Sequence, residues 1–215
     1  MPERAQVTAE MFRTAFLTSY SKVRGSFASD KRWKEMWGRP WKGLMLARLG
    51  ETHLLPDEVK GSVLADAASR LGLRYPSERG NREPMTFDAI FSEPAKNDDP
   101  FPIRVAIEHE QDWKGFGNEI RKLLSVRCLL KVGITYTGDS PQGNEYRKKI
   151  AKWIDGDFND IEPVVKEDPR TEYLFLAGAE SDNFEVSWYS LEFNAQAGPQ
   201  KRDFQPAILP NESAA

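Results

Sequence analysis

Three patterned segments follow one another between residues 103 and 137, and their order restricts the fold more than any other feature of the chain. "RVAIEHE" alternates apolar Val105 and Ile107 with polar neighbours, the period of a strand. "FGNEIRKLLSVRCLL" gathers Phe116, Ile120, Leu123 and Leu124 on one helix face, and "LKVGITY" returns to an apolar strand. Ahead of them, "LPDEVKGSVLADAASRLG" reads as a helix opened by Pro56 and Asp57 and closed by Gly72. "LRYPSERGNREPMTFDAIF" reads as a hairpin turning around Gly80 and Asn81. The order helix, strand, strand, strand, helix, strand predicts an α/β protein with a central mixed β-sheet flanked by helices.

The flanking sequence extends this core. "VTAEMFRTAFLTSY", with Met11, Phe12, Ala15 and Phe16 at helical spacing, and "SDKRWKEMWGRPW", stopped by Gly38 to Pro40, predict a helical region over 1–55 that packs on a core over 56–137. Residues 138–195 add a helix in "GNEYRKKIAKWI" and strands in "EYLFLAGAE" and "EVSWYSLEF", while 196–215 reads as a flexible tail. A length of 215 residues fits one domain with these additions. Lys and Arg total 30 against 33 Asp and Glu, so no global field draws the chain to nucleic acid or to an anionic membrane, and any polyanion site must be local. No apolar run approaches the ~20 residues of a membrane span, and "MPERAQVTAE" lacks a signal peptide's apolar region, so a cytoplasmic location is expected. Cys128 is the single cysteine, which excludes an internal disulfide, and His53 and His109 alone do not make a structural zinc site.

Glu108 and Glu110 stand two residues apart on the predicted strand, so they share a face with Cα atoms about 6 to 7 Å apart. Like charges so held repel, and each resists leaving water, so a positive group is expected beside them. His109 points to the other side, where core packing is expected. Asp88 sits among Phe87, Ala89 and Phe91 on the preceding strand. If the two strands are neighbours, three acids meet at one edge, a set of hard oxygen donors suited to Mg²⁺ or Mn²⁺. The plainer alternative is that the acids are solvated, or paired with Arg104, Arg121 or Lys131.

An acid on one strand, an acid-x-acid pair on the next, then a helix and a further strand resembles the PD-(D/E)XK, or restriction-endonuclease-like, nuclease superfamily over roughly residues 56 to 137. The resemblance implies an αβββαβ core in which Asp88 and Glu108 bind divalent metal, while Glu110 stands where a water-orienting lysine is usual. Lys114 and Lys122 are the near candidates to supply that lysine. On a helical projection Glu119 borders the apolar stripe and Lys122 lies almost opposite its centre, so Glu119 is expected as the helical contributor. Arg127, inside the stripe, is read as a snorkelling side chain. The helix before the hairpin offers Glu58 or Asp66 as a further acid. The resemblance therefore implies hydrolysis of phosphodiester bonds, in DNA or alternatively RNA, with Asp88, Glu108, Glu110 and Glu119 catalytic. Asp88, Glu108 and Glu110 would hold Mg²⁺ or Mn²⁺, and a homodimer would allow both strands to be cut together. The rival expectation is an inactive nuclease-fold protein that binds nucleic acid or serves as an assembly subunit.

Arg32, Lys34, Lys114 and Lys122 are the expected nucleic-acid contacts. Trp33, Trp37 and Trp41 recur among Lys31, Arg32, Lys34, Arg39 and Lys42, a pattern that fits either base stacking or, more often, an aromatic core or subunit interface. Phosphate-loop, zinc-helix and nucleophile-elbow motifs are absent from the sequence.

Overall fold

The computed structural model describes residues 6–27, 30–35, 41, 44–45, 62–75, 87–93, 103–165, 168–181, 185–199 and 202–208. The chain divides into two compact units, one of residues 1–9 and 104–208, the other of residues 10–103 and 209–215. The division falls inside the 56–137 span that the sequence suggests as one core.

In the second unit, helix α1 (Ala9–Gly25) buries Phe12, Ala15, Phe16, Tyr20 and Val23 and leaves Met11 exposed. Helix α2 (Asp30–Glu35) contributes Trp33, whose ring meets Phe27, Trp41 and Tyr20 edge-on at 5.1, 5.2 and 5.9 Å. Trp33 and Trp41 are fully buried, so of the two readings of the tryptophan spacing the structure takes the core. Trp37, Arg39, Lys42 and Glu58 lie outside the described residues. Helix α3 (Val63–Arg70) starts at Ser62, whose hydroxyl accepts from the Ala65 amide, and the chain turns at Gly72 with φ of 64°. Arg74 then bridges antiparallel to Ser92 of strand β1 (Ala89–Ser92), which joins the two arms expected of the hairpin.

Asp66 of α3 accepts from Ser19 at 2.8 Å, Lys22 at 2.6 Å and Arg70 at 2.7 Å, which fastens α3 to α1. Desolvation alone would raise its pKa, but the hydrogen bonds from Lys22, Arg70 and Ser19 prevail and bring it from 3.8 down to about 2. Its carboxylate is thus engaged in structure. A depressed folded pKa means that stability is present above the unfolded value and lost as pH falls through the folded one. Urea midpoints are therefore expected to drop more steeply for the wild type than for Asp66→Asn between pH 3.8 and about 2. Parallel slopes for the two proteins would refute this role.

The first unit is built on parallel strands. Strand β2 (Ile103–Glu110) runs parallel to β3 (Leu130–Gly138), and β3 parallel to β4 (Glu172–Glu180). Helices α4 (Phe116–Ser125) and α5 (Pro141–Val165) make the two crossovers, and they pack on each other and on β3. Strand β5 (Val186–Asn194) returns antiparallel to β4, and the short β6 (Gln205–Pro206) pairs with β5, so the strands lie in the order β2-β3-β4-β5-β6. The α/β class with a mixed sheet is as expected. The stretch expected as a tail nevertheless supplies β6, with Pro206 at the sheet edge, where a missing amide is tolerated.

The apolar stripe of α4 meets the sheet at Gly133. A Cβ there would lie 2.6 Å from Phe116 Cζ and 2.7 Å from Phe175 Cδ1, so the missing side chain is what seats the two rings. The helix stops at Ser125 instead of continuing to Leu130, which leaves Arg127 exposed beyond its end and not snorkelling from it. Lys131 is fully buried and donates to the Leu124 carbonyl at 3.3 Å and to the Tyr173 hydroxyl at 3.4 Å, which caps the end of α4. Cys128 is buried, with its thiol on the Leu130 carbonyl. Gln6 donates to the Arg170 carbonyl at 2.9 Å, and the Ala9 amide donates to Glu172 Oε2 at 2.6 Å, which ties the first residues to the start of β4. Among the described residues no helix is long and apolar enough to cross a membrane.

Candidate functional site

Alternation along β2 puts Ala106, Glu108 and Glu110 on the face that looks toward α4, beside Lys131, Gly133 and Thr135 of β3. Glu108 is fully buried there, opposite Gly133. Its positive neighbour is Lys122, whose ammonium lies 2.6 Å from Glu108 Oε1 and 3.0 Å from Glu119 Oε2. The projection that sets Lys122 opposite the apolar stripe is correct for its Cα position. Its four-carbon stem, however, carries the charge back to the strand while the side chain keeps 31% of its exposure. Burial works against that charge, but the hydrogen bonds to Glu108 and Glu119 overcome it and raise the Lys122 pKa above its ordinary value.

Glu110 has a different environment. Its Oε1 accepts from the Asp112 amide at 3.0 Å, and a Cβ at Gly115 would stand 3.3 Å from its carboxyl carbon, so the loop from 111 to 115 wraps around it. Within that loop Trp113 stacks on Tyr146 of α5 at 4.2 Å and lies nearly parallel to Trp153 at 5.7 Å. Lys114 is exposed and donates its backbone amide to Asp112. His109 faces the other side, fully inside, with Nε2 at 3.1 Å from the Tyr136 hydroxyl, as expected of a packed histidine.

Asp88 is half-buried just before β1, in the second unit, and Lys34 is exposed on α2. The Arg32 side chain lies outside the described residues. Arg121 pairs with Asp157 at 3.0 Å. Among the described residues, no group of three or more His, Cys, Asp or Glu side chains is arranged to hold a metal ion.

A second polar group lies across the same face. The register aligns Glu110 of β2, Thr135 of β3, Ala177 of β4 and Tyr189 of β5 in one row. Arg147 of α5, 7% exposed, places its guanidinium 4.0 Å over the Tyr189 ring and donates to Thr137 Oγ1 at 3.1 Å. Sequence reasoning passed over this residue, although a signal was present. Arg147 falls within the buried stripe Gly143, Ile150, Ile154 and Phe158 of α5, a position where an arginine needs a reason.

The protein-family models, curated proteins and solved structures compared with this chain contain no match to it.

Proposed function

We propose that the β2–α4 pair serves a metal-dependent, nuclease-like protein with a restriction-endonuclease-like core, which hydrolyses phosphodiester bonds in DNA or, alternatively, RNA. One observation carries the reading. The ammonium of Lys122 stands 2.6 Å from Glu108, which supplies from the helix the lysine that the strand lacks at Glu110. Glu108 and Glu110 are hard oxygen donors and fit Mg²⁺ or Mn²⁺ in kind, with Asp88 as the third ligand suggested by the sequence. Lys122 competes with the ion for Glu108, and the donor set of this unit is two carboxylates rather than three. A bound ion would polarise the phosphodiester and acidify a water ligand. The chain's own contribution is the partly exposed Lys122 ammonium, able to hold a phosphate oxygen or the attacking water while Glu108 and Glu119 keep it charged.

The second reading is an inactive relative of such enzymes, a nucleic-acid-binding or assembly subunit. It draws on the same ion pair, because Lys122 already balances the buried Glu108 without any metal. Plasmid nicking in Mg²⁺ and Mn²⁺ separates the two. Wild type is expected to nick, while Glu108→Gln and Lys122→Met, checked for folding by circular dichroism, each lose about 100-fold; Asp88→Ala tests the third acid. Nucleic-acid binding without cleavage of DNA or RNA would sink the enzymatic reading and favour the subunit.

A further inference from the structure

We infer that Arg147, Thr135 and Thr137 form a binding site for a phosphate group at the carboxyl ends of the parallel strands, distinct from the Glu108–Lys122 pair and independent of any metal. Arg147 is more than nine-tenths buried, yet among the described residues its polar partner is the neutral Thr137 hydroxyl and its charge rests on the Tyr189 ring. No carboxylate among the described residues forms an ion pair with it. A guanidinium withdrawn from water without a counterion is costly, and a ligand anion removes that cost.

Thr135 supplies an independent sign. Its side chain is fully buried, and its hydroxyl makes no hydrogen bond. A buried hydroxyl left this way calls for an explanation. It stands two residues before Thr137 on the same face of β3, the face on which the guanidinium meets Thr137. Between these threonines and Tyr189 the intervening strand presents only Ala177 and Ala179, whose small side chains leave the guanidinium room to lie over the sheet.

The chemistry favours phosphate. Arginine has five N–H donors in a planar fork, and the bond to Thr137 uses one of them. A tetrahedral phosphate offers enough oxygens to meet the fork and the Thr135 hydroxyl together, whereas a carboxylate has two oxygens in one plane. Glu110 shares the row, but its Oε1 is turned to the Asp112 amide. Carboxyl ends of parallel strands are also where open α/β sheets bind ligands.

The test uses the full chain in EDTA, so that metal plays no part and the result stands apart from the nuclease reading. Isothermal titration with inorganic phosphate is expected to give saturable binding, with sodium acetate silent at the same concentrations. Thr135→Val, which keeps the side-chain shape, should weaken phosphate binding about tenfold, and Arg147→Gln should abolish it. Lys148→Ala, on the exposed side of the same helix, should bind phosphate as wild type does. A short oligonucleotide that displaces phosphate assigns the site to a phosphodiester, and phosphate binding unaffected by oligonucleotide assigns it to free phosphate or a monoester. If Arg147→Gln does not fold, Thr135→Val decides alone. Absent phosphate heat in the wild type, or equal affinity in Thr135→Val, overturns the assignment.

Discussion

Lys122→Met is expected to lower the unfolding free energy by about 3 kcal/mol, because it removes the ammonium that stands 2.6 Å from the fully buried carboxylate of Glu108. The loss comes from the acid left behind and not from the lysine, which retains a water-facing flank. Adding Glu108→Gln should therefore return most of the stability, and the double-mutant cycle measures how strongly the two are coupled. Urea denaturation at pH 7 reads the effect. A Lys122→Met protein within about 0.5 kcal/mol of wild type at pH 7 would mean that Glu108 finds compensation elsewhere.

Gly143→Ala is expected to cost about 2 kcal/mol, against the ordinary preference of a helix for alanine. By propensity alone the change should stabilise α5 by ~1 kcal/mol. A methyl at this position would overlap the carbonyl oxygen of Gly138, however, and that atom belongs to backbone that cannot swing aside as a side chain can. Overpacking of this kind typically costs ~1–3 kcal/mol or occasionally more, so it outweighs the propensity gain. Gly156→Ala on the same helix is the internal control. A Cβ there meets nothing within 4 Å, so the propensity gain should appear unopposed. Chemical unfolding of the two variants is expected to move in opposite directions, and a stabilised Gly143→Ala would disprove the tight seat of α5 against the end of β3.

The elements that could be read from sequence are those whose burial is one-sided. Phe116, Ile120, Leu123 and Leu124 announce α4, and the alternation of β2 correctly separates His109 from its flanking glutamates. The end of α4 could not be read, because Val126, Leu129 and Leu130 prolong the apolar character while the backbone has already become extended at Val126, with ψ of 146°. Lys122 was one of two candidate lysines, but its reach to Glu108 could not be read, because a projection fixes where a Cα sits and says nothing of a charge at the end of a long stem. The partnership of Arg147 with Thr137 and Tyr189 depends on which residues of β3 and β5 come level, a register that no local pattern encodes. Strand β6 is two residues long, too short for any periodicity. For the tryptophans, spacing allowed two readings and full burial decided between them.

The clasp between Ala9 and Glu172 spans 163 positions. During vectorial synthesis its amide emerges before its partner and waits until the ribosome has delivered the third parallel strand. Closing so large a ring carries an entropic toll that grows only logarithmically with its length, which is why one short hydrogen bond to a carboxylate, joined by that of Gln6, can still hold the two distant segments together.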